Sequence, residues 1–311
     1  MHIAVIGAGA LGSVYGVRLA LHGGVDVTFV VRPARVSSKE PIVIEKVRGD
    51  RRDTLAKPTR AAVVPSDADA VLVAVGTEDL DALRDPLGAS EAPIVILTPM
   101  LPKDWARVRA AFGDRAHAAM PNVVAYARKD GVVRYWLPPA ATLIDEPRAD
   151  GPHVTAVREL AGALSRARIR ARLAMAVHET NPATTVCFIC IGMVISLAGS
   201  ATALMKDEAL LSLASRACRE GVRLSHRIGE PAPWARLAPA FAAPWAMHAW
   251  LKMLARVSPE GLFYAEEHFG RKLREQHRVM IGEMALLARE KGLPHAAFDE
   301  IATRFAQPSA T

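Results

Sequence analysis

The run His2-Ile3-Ala4-Val5-Ile6-Gly7-Ala8-Gly9-Ala10-Leu11-Gly12 decides the fold. Its first five residues form a short apolar strand, and the glycine-spaced turn after it opens a helical pattern through Val14, Val17, Leu19 and Ala20. A second strand follows at Val25 to Val31. The glycines divide the work: Gly7 permits the tight turn, Gly9 lets the backbone approach a pyrophosphate, and Gly12 with Gly16 lets the helix lie close on the sheet. The helix amino terminus then faces the phosphates. Alone, G-x-G-x-x-G is weak evidence. With a strand before it, a helix after it and a second strand about 20 residues on, it reads as dinucleotide binding.

At the end of that second strand an NAD enzyme carries Asp or Glu for the ribose 2′-hydroxyl, but this chain has Arg32, with Arg35 one turn later. A guanidinium suits a 2′-phosphate, so NADP(H) is favoured over NAD(H); the plain alternative is a solvated loop arginine. The wound pattern continues with strands at Ala70 to Val75, Ile94 to Thr98, Val123 to Ala127 and Ala141 to Ile144, a helix at Val154 to Leu164 and a last strand at Ile169 to Leu173. After that the strand signals stop. Asn181-Pro182 reads as the start of an apolar helix, Asn as cap and Pro at the first helical position. Leu210 to Ile228 marks a second helix ending near Gly229, and Tyr264 to Lys291 a third. The expectation is an α/β fold: a dinucleotide-binding Rossmann-type parallel-sheet domain over 1–174, then an all-helical domain over 175–311.

Composition bounds the rest. The 311 residues, 51% hydrophobic and 23% charged, suffice for two cores and exclude a disordered chain. The formal charge of +7 comes from arginines scattered among acidic and apolar residues, without the concentration of a nucleic-acid module. Cys187, Cys190 and Cys218 lie in apolar stretches and read as reduced core thiols. Thr184 to Leu204 is apolar enough to raise a membrane span, yet its Thr, Ser and Gly residues and lack of a basic flank favour a buried helix. The chain opens directly on a strand, so a cytoplasmic protein is expected. Its expected partner is a small-molecule substrate, with a homodimer left open and no nucleic acid or membrane.

The glycine loop, Arg32, the stretch Asp130-Gly-Val-Val-Arg-Tyr-Trp-Leu-Pro-Pro-Ala-Ala-Thr-Leu-Ile144, and a helical second half with Gly270-Arg271-Lys272 and then Gly282-Glu-Met-Ala together resemble the ketopantoate reductase family. The likeness is strong to residue 174 and weaker beyond. It implies a Rossmann domain that binds NADPH and a helical domain that closes over a 2-keto acid. It also exposes departures at the catalytic positions. Thr98-Pro99-Met100 stands where the family has Asn-Gly beside the nicotinamide. The family's catalytic lysine falls near Thr185, and no lysine lies between Lys129 and Lys206. Lys252 replaces the serine expected before Met253-Leu254. Glu275, Gln276 and Glu266 compete for the late carboxylate.

The expected cofactor-binding set is Gly7, Gly9, Ala10, Leu11, Gly12, Arg32, Val75 and Thr98; the catalytic candidates are Glu179, Glu220, Lys252 and Glu275. Glu179 belongs to a polar cluster, His178-Glu179-Thr180-Asn181, expected as a loop ahead of the first helix and suited to acid-base work or a metal. Glu220 interrupts an apolar helix, and Lys252 suits a substrate carboxylate or a developing alkoxide. His248, His268 and His277 lack metal-ligand spacing, whereas Trp234, Trp245 and Trp250 suit a pocket wall or domain packing. Three functions compete: an NAD(P)-dependent oxidoreductase acting on a small carbonyl or hydroxy substrate other than ketopantoate; a metal-assisted enzyme like ketol-acid reductoisomerases, with Mg²⁺ held by Glu179 and Glu220; and a non-catalytic nucleotide sensor.

Overall fold

A computed structural model describes residues 1–47, 51–257, 259, 262–263 and 274–307. The chain divides into two units, Met1–His178 and Glu179–Thr311.

In the first unit, β1 (His2–Ile6) leads into α1 (Ala10–His22) and β2 (Asp26–Val30). Three further strands follow, β3 (Ile42–Lys46), β4 (Arg52–Leu55) and β5 (Thr59–Ala61), then β6 (Ala70–Val73), the short α2 (Arg84–Leu87), β7 (Ile94–Ile96) and α3 (Pro102–Phe112). The unit is completed by β8 (Ala116–Met120), β9 (Val124–Ala127), β10 (Val133–Trp136), β11 (Thr142–Asp145), α4 (Val154–Arg166) and β12 (Ala171–Ala174). The main sheet runs β12-β11-β8-β7-β6-β1-β2-β5. From β8 to β5 all pairs are parallel, and β11 runs antiparallel to β8. Strand order reverses between β1 and β6, and the carboxyl ends of the strands at such a switch point are where ligands bind in open α/β sheets. The fully buried Ile3, Val5, Val71 and Leu72 show why these segments read as continuous apolar runs: both faces of a parallel sheet are covered.

A second sheet, β4-β3-β10-β9, was not expected. Its members contact the same α1 that contacts β1 and β2. One expectation is corrected here: the strand near Val123 pairs with β10 in this small sheet instead of joining the wound sheet. The two strands of the 130–144 stretch, β10 and β11, belong to different sheets. Covered on two sides, α1 buries even Arg18, which is 1% exposed, bonds Asp53 of β4 at 3.1 Å and donates to the Ala167 carbonyl. A buried charge is tolerated only when paired in this way.

The helical part begins with α5 (Val177–Ala198), followed by α6 (Ala201–Leu204), α7 (Glu208–Ile228), α8 (Ala238–Phe241), α9 (Pro244–Val257), α10 (Arg274–Glu290) and α11 (Ala296–Ala306). The second expected helix matches α7, which Asp207 caps and Gly229 ends. The third is described only from Arg274; residues 264–273, with the candidate Glu266 and also His268, lie outside the described residues. The first starts earlier than Asn181-Pro182 suggested, so both residues are buried inside α5. The reason is not local: Asp145, at the end of β11, accepts the Val177 N–H at 2.9 Å and supplies the helix start that the flanking sequence lacks. By length and composition α5 could cross a membrane, but 67% of its apolar window is buried within the protein. All three cysteines are free and buried, and burial pushes the Cys218 thiol up to about 12.

Candidate functional site: a glycine-lined nucleotide crevice

Gly7 sits at φ +95°, in the left-handed region, and a Cβ there would lie 2.5 Å from the Ala74 carbonyl oxygen. At Gly12 an added Cβ would come within 2.0 Å of the Gly7 carbonyl. Both glycines are required by the protein's own backbone. Gly9 is the opposite case: it is exposed, has φ −77°, and an added Cβ would meet nothing within 4 Å. Packing within the chain does not demand a glycine there, and the open space leaves its backbone accessible to a ligand. Gly9 also precedes the first turn of α1, which has no side-chain cap and no acidic residue. The unsatisfied N–H groups of a helix start, with its partial positive charge, suit a pyrophosphate at Ala10, Leu11 and Gly12. A dinucleotide therefore fits the residues present.

Around this turn the carboxyl ends of neighbouring strands form the rim. Val75 follows β6, and Thr98 follows β7. Thr98 is buried and its hydroxyl donates to the Val75 carbonyl at 2.8 Å, so it ties two rim loops together in addition to any contact with ligand. Arg32 lies two residues beyond β2, exposed and, among the described residues, without a carboxylate partner. A phosphate is a suitable partner for such an arginine.

The catalytic candidates do not form one group. Glu220 is buried on α7, and its carboxylate accepts the N–H groups of Ala297 and Phe298, each at 3.1 Å. It caps the first turn of α11, which corrects the reading of Glu220 as a catalytic or Mg²⁺-binding group. Glu275 is exposed on α10 and paired with Arg278, whose hydrogen bond holds its carboxyl below the usual range. Lys252 is exposed on α9, as is Trp245, while Trp250 and His248 are half-buried and His277 is fully buried. The Trp234 side chain lies outside the described residues.

The polar cluster His178-Glu179-Thr180-Asn181 is the first turn of α5 and not a loop. Exposed Glu179 and buried Asn181 part company there. His178 Nδ1 bonds Asp145 Oδ2 at 2.6 Å, and its ring stacks on Trp105 with centroids 5.7 Å apart. A cavity of about 330 Å³, lined by His178, Trp105, His117, His153, Arg109 and Arg148 among others, lies beside it. It belongs to the end of the sheet where β8 begins and β11 ends, opposite the glycine turn. Burial pushes the His117 imidazole down to about 4. Sequence reasoning passed over this Asp145–His178 pair because its members come from a strand end and a helix start 33 residues apart. Among the described residues, no three His, Cys, Asp or Glu side chains converge into a metal-holding group.

Comparison with known proteins agrees with this geometry. The family model described as ketopantoate reductase PanE/ApbA matches residues 3–99, the segment that holds the glycine turn, Arg32 and Thr98. No curated protein sequence matches the chain. Solved structures do: a PanE/ApbA family ketopantoate reductase from Ralstonia eutropha JMP134 has a TM-score of 0.71 at 19% identity, covering 98% of this chain and 97% of its own. A probable 2-dehydropantoate 2-reductase from Bacillus subtilis has 0.69 at 16%, covering 98% and 99%. A D-mandelate dehydrogenase solved with NADH and anilino(oxo)acetate has 0.66 at 15%, covering 98% and 97%. The resemblance carried by the glycine turn and Arg32 thus finds support in a family model that matches residues 3–99 and in the architecture: the chain has the fold of ketopantoate reductases.

Proposed function

We propose that this protein is an NAD(P)-dependent oxidoreductase that moves a hydride between a nicotinamide nucleotide, NADP(H) by preference, and a small carbonyl or hydroxy acid other than ketopantoate. The observation that carries the reading is Gly9, a glycine no part of the chain requires, at the uncapped start of α1 in the crevice where strand order reverses. The nucleotide supplies or accepts the hydride. The N–H groups after Gly9 hold its pyrophosphate, and Arg32 with Arg35 takes the 2′-phosphate.

The substrate differs from ketopantoate on this reading because the family's lysine position is Thr185 and its serine position is Lys252. Lys252, exposed and cationic, binds a substrate carboxylate or hands a proton to the developing alkoxide. Glu220 takes no part, since its carboxylate is spent on α11. The D-mandelate dehydrogenase among the structural neighbours supports a 2-hydroxy or 2-oxo acid, the class that dehydrogenase's name indicates. The Mg²⁺-assisted alternative is weakened because one of its two carboxylates, Glu220, is committed to a helix cap, leaving exposed Glu179. The test is nicotinamide fluorescence with NADPH and NADH, followed by turnover over a panel of 2-oxo and 2-hydroxy acids with and without EDTA. Tight NADPH binding and EDTA-insensitive turnover of a panel member is the expected result. Binding without turnover favours the sensor reading, and no binding of either nucleotide removes the proposal.

A further inference from the structure

The turn that carries Arg32 and Arg35 is held by a residue from another strand. Arg32 caps a single 3₁₀ turn, Pro33–Arg35, after β2. From there a relay of main-chain bonds runs outward: the Arg35 N–H donates to the Arg32 carbonyl at 2.8 Å, and the Ser38 N–H to the Arg35 carbonyl at 3.3 Å. Neither bond belongs to a sheet, and the stretch from Arg32 to Glu40 has no strand partner. Left alone, such a turn loses several residues' worth of backbone freedom when it orders around a ligand.

Arg60 stands where that freedom can be removed. It is the middle residue of β5, paired in parallel register with Phe29 of β2, so its backbone is fixed by the main sheet. Its half-buried guanidinium reaches over to the turn, Nη1 donating to the Ser38 carbonyl and Nη2 to the Glu40 carbonyl at 2.7 Å. The Glu40 N–H in turn donates to Ser38 Oγ at 3.3 Å, closing the turn on itself. Two main-chain oxygens two residues apart match the fork of a guanidinium, a geometry that an ammonium, as a point donor, does not reproduce.

We propose that Arg60 is a positioning residue for nucleotide choice: by clamping Ser38 and Glu40 it pre-orders the turn that presents Arg32 and Arg35, and so sets the preference for a 2′-phosphorylated nucleotide. This rests on the reading of Arg32 and Arg35 as the 2′-phosphate site. The clamp acts on that end of the nucleotide alone, because the pyrophosphate turn at Gly7–Gly12 belongs to β1 and α1. Selectivity is therefore separable from binding of the common part of the two nucleotides.

The test is fluorescence titration with NADPH and NADH of the full-length protein and of four variants: Arg60→Ala, Arg60→Lys, the pair Arg32→Ala/Arg35→Ala, and that pair combined with Arg60→Ala. In wild type NADPH should bind about tenfold more tightly than NADH, the scale of one charge-assisted pair. Arg60→Ala should weaken NADPH binding about fivefold with NADH unchanged, and Arg60→Lys should fall between, since pre-ordering lowers the cost of binding without adding a contact. Once Arg32 and Arg35 are gone, removing Arg60 should change nothing more, the mark of residues acting through one another. If Arg60→Ala keeps the wild-type ratio, or weakens both nucleotides alike, the clamp is overturned. A further loss in the triple variant also overturns it, because Arg60 would then touch the phosphate itself. Failure of the underlying reading looks different: wild type itself shows no preference, or the Arg32/Arg35 pair can be removed without effect.

Discussion

The glycine turn and the carboxylates of the helical unit are both candidate functional features, yet they behave differently when the chain folds. The turn is made of backbone. Its outline follows from neighbouring residues, a strand before and a helix after, with the Gly7 carbonyl against Gly12; Gly7 also leans on a distant segment, the Ala74 carbonyl beyond β6. The carboxylates are side chains whose task is set by whatever the tertiary fold brings near. Glu220, an acid interrupting an apolar helix, meets the uncapped start of α11, 77 residues away. Asp145 likewise meets the start of α5, 32 residues away. In each case a helix start with no cap of its own is finished by a carboxylate from a distant element. An acid at an apolar position is thus a sign of a buried need, and the need here is structural.

Substitutions sharpen this contrast. The largest effect is expected at Gly12→Val, where the added Cβ would sit 2.0 Å from the Gly7 carbonyl. Overpacking costs typically 1–3 kcal/mol and more when the obstacle is backbone, so thermal denaturation should show a loss of about 3 kcal/mol or more together with loss of nucleotide binding. Next is Glu220→Ala, which leaves two buried N–H groups unmet and removes a cap; a loss of about 2 kcal/mol is expected in urea denaturation, with NADPH affinity unchanged. Unchanged stability with abolished turnover would restore Glu220 to the catalytic set.

A smaller, pH-dependent effect is expected from His117. Burial lowers its folded pKa to about 4, below the unfolded value near 6.5, so the unfolded chain takes up the proton first as pH falls. Its contribution is complete above pH 6.5, declines between about 6.5 and 4, and is lost below that. A His117→Phe variant should flatten the stability curve over this window, as read by denaturation at a series of pH values. Asp53 adds in the same direction at lower pH. Burial tends to raise its pKa, but hydrogen bonds from His22 and Arg18 with the charge of Arg51 outweigh that and lower it. Smallest of all is Glu275→Ala, which removes an exposed, solvent-screened ion pair with Arg278 and should leave the thermal midpoint indistinguishable from wild type.

The same contrast explains how far the sequence could be read. Strands β1, β2, β6 and β7 (His-Ile-Ala-Val-Ile, Asp-Val-Thr-Phe-Val, Ala-Val-Leu-Val and Ile-Val-Ile) are rich in Val, Ile and Leu because both faces are covered, and they are legible for that reason. By contrast, β8 reads Ala-His-Ala-Ala-Met and carries almost no strand signal, although every residue is buried. The second sheet escaped notice in part because β4, Arg-Asp-Thr-Leu, is short and polar, and β5, Thr-Arg-Ala, at the edge of the main sheet, is no easier to read. Asn181-Pro182 is a sound local helix start, overruled by Asp145. The glycine turn was legible because it is largely local, whereas the places of Glu220, Lys252 and His178 depend on contacts that no window of sequence contains.

On the reading proposed above, Gly9 is kept for a ligand and Gly7 and Gly12 for the fold. That reading is tested most directly by Gly9→Ala, measured by NADPH titration and thermal denaturation on the same preparation. The added methyl meets open space, so stability should stay within about 1 kcal/mol of wild type, the scale of a helix-start substitution. NADPH affinity should fall by about tenfold or more as the backbone is held away from the pyrophosphate. Unchanged affinity in a stably folded Gly9→Ala protein would contradict the account.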